Sequence, residues 1–315
     1  MRIAVPMTVL ATALACSLAS APAHARARVF VASYGNDANP CTFGSPCKTF
    51  QHAHDVADAG GEIDALDSAG YGPVVITKAI SIIGNDQTGI LQTSNSSAGI
   101  FVNAGPSDLI NLRGLVIEGA GTGNTGIQYS TAASLSIENC IIRGFTFAGI
   151  YQITSSDSTL LVSDTLISDN PSATGILIDP SFSNATASAV LNRVTVKGNG
   201  NGVTDVANGG GAASIYSRIT VSDSLLTNNS GVGISISVNG FTSLARGMVR
   251  NSTIVDNAGG GILASGEPTL VYLSQVTTTE NAAFGDLSAA SGATITSFGN
   301  NSIPFSTPTN VIALK

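Results

Sequence analysis

Tryptophan is absent from this sequence, and charge is scarce. Only 10% of the 315 residues are charged, and 13 Lys and Arg stand against 20 Asp and Glu. The net charge of −7, with a pI of about 4.8, makes the chain a poor electrostatic partner for nucleic acid or anionic lipid. Scarce charge beside a hydrophobic share of 43% also excludes disorder, which needs the opposite balance. Sustained 3.6-residue periodicity is missing, which argues against helical solenoids. Past the first residues, no apolar run is long enough to span a membrane. What is abundant is glycine, 35 in all, with many Ser, Thr and Asn. That combination describes a β-rich, turn-rich body.

The first residues have the form of an address. Arg2 supplies a positive start, Ile3 to Ala19 is almost unbroken in apolar and small residues, and Ala23-His24-Ala25 offers the small-x-small pattern read by a signal peptidase. Residues 1–25 are therefore expected to be a signal peptide, with export to the periplasm, the cell surface or the medium. Losing Arg2 leaves 12 basic against 20 acidic residues, or −8 for the mature chain. Cys16 offers a rival reading as a lipoprotein cysteine, with its leucine one place out of position. Export permits disulfides. Cys41 and Cys47 flank a turn-rich segment and can bridge as a local staple, whereas Cys140 has no evident partner and reads as a small buried residue.

A repeat organises the rest. Glycine followed by a β-branched residue recurs at Gly99, Gly126, Gly149, Gly175, Gly202, Gly233 and Gly261, in steps of 27, 23, 26, 27, 31 and 28 residues. A second column holds Asn170, Asn199, Asn229, Asn257 and Asn281, and a third holds Asn139, Asp164, Arg193, Asp223, Asn251 and Gln275. Each unit contains three short alternating runs separated by turn formers, which reads as three strands per unit. Units of this length are too long for a two-sheet hexapeptide coil and too short for propeller blades. They fit a right-handed parallel β-helix, an all-β solenoid of three sheets and about eight to nine coils. The Asn columns are expected to occupy left-handed turns and to hydrogen-bond from coil to coil. The domain plan is residues 26–72 for an N-terminal strand, disulfide loop and capping helix, 73–303 for the coils and 304–315 for a C-terminal tail. The capping helix is expected over Thr49 to Ala59, with Phe50, Ala53, Val56 and Ala57 on its buried face. His52 and His54, on that helix, read as solvated or packing residues.

The segment Tyr34-Gly35-Asn36-Asp37-Ala38-Asn39-Pro40, followed by Ser45-Pro46-Cys47-Lys48-Thr49-Phe50, resembles the opening of exported bacterial right-handed β-helix proteins of the pectin-lyase-like superfamily. The coils resemble that superfamily's degenerate repeat. The resemblance implies a cleft along the first parallel sheet, here the Gly-Ile strands, and it admits polysaccharide lyases and glycoside hydrolases.

On that sheet Ile127, Ile150, Ile176, Val203, Ile234 and Ile262 should point inward, and Gln128, Tyr151, Leu177, Thr204, Ser235 and Leu263 outward. None of the outward six is a carboxylate, Arg, Lys or His, whereas glycoside hydrolysis ordinarily needs two facing carboxyl groups. Asp179, Asp205 and Lys197, beside the strand, form the best available catalytic set; the structural alternative makes Asp179 a turn residue before Pro180 and Asp205 a bulge marker. Asp164, Arg193 and Asp223 stack as alternating charges in one column, and Arg113 and Glu138 form a similar pair.

The preferred expectation is a non-catalytic surface or polysaccharide-binding protein, with Gln128, Tyr151, Thr204 and Ser235 lining the binding face. The alternative is a polysaccharide lyase or glycoside hydrolase using Asp179, Asp205 and Lys197. A structural or assembly element is the third. No metal site or cofactor is expected, except calcium under the lyase alternative, and extended polysaccharide is the expected partner.

Overall fold

The computed structural model describes residues 27–180, 185–209, 214–240 and 243–312, so the leader expected at 1–25 lies outside the described residues. Every ladder between named strands is parallel, and one helix, Phe50–Val56, is present among the described residues. The strands form three ladders that run the length of a solenoid. The first sheet carries the glycine column: Val74–Ile76, Ala98–Asn103, residues 125–129, 148–152, 174–178 and 203–207, then Val232–Val238, Gly260–Ser265 and Leu287–Ala290. The second runs from Arg28–Val31 through Ser134–Glu138 and Tyr216–Ser222 to Asn310–Val311. The third, from residues 88–91 to Thr277–Thr279, gives the coil number of about eight.

Alternation along each strand sends aliphatic side chains inward. Ile127, Ile150, Ile176, Val203, Ile234 and Ile262 are all fully buried, as the sequence pattern requires. Each such side chain contributes roughly 1.5–3 kcal/mol through burial, which makes these stacked columns the main source of stability.

The glycine column has a steric cause. A Cβ on Gly175 would lie 2.7 Å from the carbonyl oxygen of Gly202, and one on Gly202 would lie 2.4 Å from that of Gly233. Both are below van der Waals contact, so each coil reaches its neighbour only because the side chain is missing.

The asparagine column lies just upstream. Asn170 donates to Asn199 at 2.7 Å, Asn199 to Asn229 at 2.9 Å, Asn229 to Asn257 at 2.8 Å and Asn257 to Asn281 at 2.9 Å. The Asn229, Asn257 and Asn281 oxygens each also take a backbone N–H, from Asn199 N at 3.0 Å, Asn229 N at 3.2 Å and Asn257 N at 3.1 Å. The ladder ends where Asn281 donates to Asp286 Oδ1 at 2.8 Å. The coil-to-coil bonding is as expected, but the backbone conformation is not. The left-handed residues are the ones before the column: Asp169, Gly198, Asn228, Asp256 and Glu280. The asparagines are thereby freed to turn their amides inward, where buried polar groups must be paired. In the third column the expectation of left-handed turns holds directly, with Asn139, Asp164, Arg193, Asp223, Asn251 and Gln275 all at positive φ.

Charge stacking is realised in part. Arg193 grips Asp164 with two donors, at 2.7 and 2.6 Å. Asp223 instead accepts from the Asn251 and Asn192 amides. Arg113 and Glu138 are neighbours in register yet form no ion pair among the described residues. Adjacent backbones do not by themselves bring two long, solvated side chains together.

At the N-terminal end, Thr49 caps the helix by accepting from His52 N at 3.2 Å, and Phe50 and Ala53 are buried beneath it. The helix is shorter than the apolar spacing suggested, because Ala57 is already extended. Cys41 and Cys47 form a disulfide beside it. His54 is buried: its Nε2 accepts from Thr77 N at 3.1 Å, and burial holds its pKa below the usual imidazole value. Cys140 is a buried free thiol, its pKa pushed up to about 11 by desolvation, which makes it inert rather than nucleophilic.

Candidate polysaccharide-binding face

The outer face of the first sheet is a single register-locked column. Phe101 pairs with Gln128, Gln128 with Tyr151, Tyr151 with Leu177, Leu177 with Thr204, Thr204 with Ser235, Ser235 with Leu263 and Leu263 with Ser288. At about 4.8 Å per coil, seven steps span roughly 34 Å. Val75 extends the row beyond Phe101 and is exposed. Gln128, Tyr151, Thr204 and Ser235 therefore line one face, all of them half-buried. Phe101 and Val75 were missed by the sequence reading; the alternation rule applied one coil further, from Ile100, places both.

The N-terminal half of the column is aromatic and apolar but for Gln128. Phe147, exposed within the strand Ile141–Gln152 that also carries Tyr151, meets the Tyr151 ring edge-to-face at 5.2 Å and 78°. Burial, followed by the charge of Asp179, pushes the Tyr151 hydroxyl up to about 12, so it stays protonated. Gln128 donates to Ser130 at 3.4 Å. The C-terminal half is neutral, with Thr204 Oγ1 buried and without a hydrogen-bond partner.

Asp205, Asp179 and Lys197 do not converge. Asp205 pairs without a register break with Ile178 and Ile236, so it marks no bulge, and it points into the core with 0% exposure. It accepts a hydrogen bond from Ser217, while its second oxygen has no partner. Burial, and then the charge of Asp179, push its pKa up to about 7 against the lowering effect of Ser217. Asp179 stays at the strand end, its N–H donating to Gln152 O at 2.9 Å, close enough for its charge to reach both Tyr151 and Asp205. Lys197 stands on the third sheet, paired between Ser168 and Thr227 and pointing to solvent. An inward carboxyl and an outward amine on different sheets cannot share a proton with one substrate.

Calcium needs several oxygen ligands. Among the described residues Asp179 is the one carboxylate at the face, and that donor set does not fit the cation. Elsewhere among the described residues, Cys41, Cys47 and His52 come together, but the disulfide occupies both sulfurs.

Residues 99–303 match the family described as right handed beta helix region. The chain belongs to this right-handed β-helix family. The match covers well over half of the sequence and coincides with the coils. Among solved structures, a pectate lyase, Pel9A, is similar at a TM-score of 0.59 and 14% identity, over 90% of this chain and 79% of that one. The A-module of mannuronan C-5 epimerase AlgE4 from Azotobacter vinelandii is similar at 0.50 and 13%, over 81% and 86%. A Geobacillus virus E2 protein, ORF18, is similar at 0.53 and 12%, over 75% and 53%. At these identities the likeness establishes the right-handed β-helix fold alone. No curated protein matches the sequence.

Proposed function

We propose that this protein is an exported β-helix that binds an extended polysaccharide along the outer face of its first sheet and leaves the polymer intact. The supporting observation is the composition of that face: aromatic and apolar at Val75, Phe101, Phe147 and Tyr151, neutral at Gln128, Thr204 and Ser235, with no acid–base pair across it among the described residues. A row of about 34 Å at one side chain per coil suits a long, repetitive ligand. Ring faces match the apolar CH faces of sugars, and the amide and hydroxyls supply the polar contacts. Polysaccharide is also what the pectate lyase and the epimerase carry in their names, although those proteins are enzymes. Export rests on the leader at 1–25.

The test is retention of the mature protein on a panel of immobilised neutral and acidic polysaccharides, with unsaturated products and reducing ends followed in parallel, with and without calcium. Retention without product supports binding alone.

The second reading, a polysaccharide lyase or glycoside hydrolase, draws on Asp205, whose pKa near 7 suits a proton carrier and whose field includes Asp179. It requires Asp205 to leave the core, and turnover abolished by Asp205→Asn would establish it. Retention on no polymer, without turnover, would leave the third role, an assembly element.

A further inference from the structure

Asparagine stands directly before glycine four times, at Asn199-Gly200, Asn201-Gly202, Asn208-Gly209 and Asn239-Gly240. Coil stacking demands the glycines. A Cβ on Gly200 would lie 2.9 Å from the carbonyl oxygen of Ala173, one on Gly202 2.4 Å from that of Gly233, and one on Gly240 2.4 Å from that of Gly209. Gly240 also has a φ of 137°, where a side chain is strained. This steric requirement has a chemical consequence. With no side chain after it, an asparagine amide carbon is open to attack by the next backbone nitrogen, which makes such asparagines labile.

Hydrogen bonding separates the four. Asn199 is 1% exposed, its Oδ1 accepts from Asn170 at 2.7 Å, and its Nδ2 donates to Asn229 at 2.9 Å. Asn201 Oδ1 accepts from Val232 N at 3.0 Å. Asn208 is half-buried, and Asn239 is the one fully exposed member of the set. The backbone N–H of Asn239 donates to Ala207 O at 3.0 Å, which fixes the residue in place. Its side-chain amide and the Gly240 N–H make no hydrogen bond among the described residues. Both reacting groups are therefore free at a water-exposed corner.

We propose that Asn239 is a self-modification site, converting in water to aspartate and isoaspartate through a cyclic imide with Gly240. The Gly240 nitrogen loses its proton to base in the solvent and bonds to Asn239 Cγ. The Cγ–Nδ2 bond breaks, and Nδ2 leaves as ammonia. Water then adds to one of the two imide carbonyls and opens the ring, giving aspartate or, with the chain rerouted through Cγ, isoaspartate. One water is consumed for each ammonia released, and no electron is transferred. The new carboxylate shares with Glu267 the lining of one cavity of about 670 Å³, beside Val238 and Pro268. Like charges on neighbouring coils repel, so the conversion weakens this corner of the solenoid. The site lies where the chain leaves the first sheet, and the chemistry is independent of the proposed binding face.

The test is peptide mapping by mass spectrometry of the mature chain aged in mildly alkaline buffer, folded and in urea. In the folded protein Asn239 should convert at least about tenfold faster than Asn199 and Asn201, which must first be freed by local opening. In urea the four should convert at similar rates, and both series should quicken as pH rises, because the nitrogen must lose its proton. An early acidic species should appear on anion exchange, co-elute with the Asn239→Asp variant and be absent from Asn239→Gln, whose longer side chain closes a ring poorly.

Conversion of Asn199, Asn201 or Asn208 ahead of Asn239 in the folded protein overturns the proposal. So does an Asn239 that stays intact over the time in which the urea-unfolded chain converts it, or an early acidic species that survives Asn239→Gln.

Discussion

Asp205→Asn turns the buried carboxyl group into a stability measurement. In the unfolded chain this group ionises around its ordinary value of 3.8, whereas in the folded core burial raises it to about 7. A carboxyl whose folded pKa is raised contributes stability that is fully present below about pH 4 and is lost as pH rises through 7. Between those limits the folded state holds a proton that the unfolded state has released. The slope is about 1.4 kcal/mol per pH unit, and the whole interval amounts to about 4 kcal/mol. Asparagine carries no charge, and its amide oxygen can accept from Ser217 as Asp205 Oδ1 does. The variant should therefore gain on the wild type as pH rises, by about 3 kcal/mol between pH 5 and pH 8.

Buried His54, whose pKa is lowered, works in the opposite sense: its contribution is lost as pH falls below the unfolded imidazole value. It is common to both proteins and cancels in their difference. Urea unfolding midpoints of the two proteins at pH 5 and pH 8, with unchanged m, give the quantity directly. A wild-type-to-variant difference equal at the two pH values would refute the assignment of Asp205 to the sealed core.

Other consequences are measurable by the same denaturation curves. Asn229→Ala removes the acceptor of Asn199 N and Asn199 Nδ2 and the donor to Asn257, all buried, and should destabilise the protein by about 3 kcal/mol; a loss below about 1 kcal/mol contradicts a structural role for the ladder. Gly202→Ala places a methyl 2.4 Å from the Gly233 carbonyl and should cost about 1–3 kcal/mol, where a neutral result would mean that the coils are not stacked this closely. Arg193→Gln breaks an exposed pair with Asp164 and should change stability by under about 1 kcal/mol, less still in high salt.

Much of the fold was legible because each column repeats one physical requirement. Glycine recurs where a Cβ would strike the next coil, aliphatic residues recur where alternation points inward, and asparagine recurs where an amide must bond along the axis. The turn geometry was less legible. The Asn column looked like the left-handed position because asparagine tolerates that conformation, but Asp169, Gly198, Asn228, Asp256 and Glu280 take it, leaving the amides to pair inside. A local propensity cannot tell apart two adjacent residues that both suit a turn.

The candidate site was legible as a column and illegible as chemistry. Parity placed Gln128, Tyr151, Thr204 and Ser235 on one face. Distance along the chain made Asp205 and Lys197 look like neighbours, although eight residues of strand, turn and strand carry them to different sheets. Arg218 and Arg246, 28 positions apart, are adjacent in register, and the equal step from Asp223 to Asn251 in the third column already implied it.

The central claim, binding without cleavage on the first sheet, is tested most directly by comparing wild type with Phe147→Ala, Tyr151→Ala on the polysaccharide the wild type retains best, while following product formation. Loss of the edge-to-face aromatic pair should weaken retention about tenfold, with no unsaturated product or new reducing end from either protein. Retention equal in the two proteins, or turnover by the wild type, would contradict it.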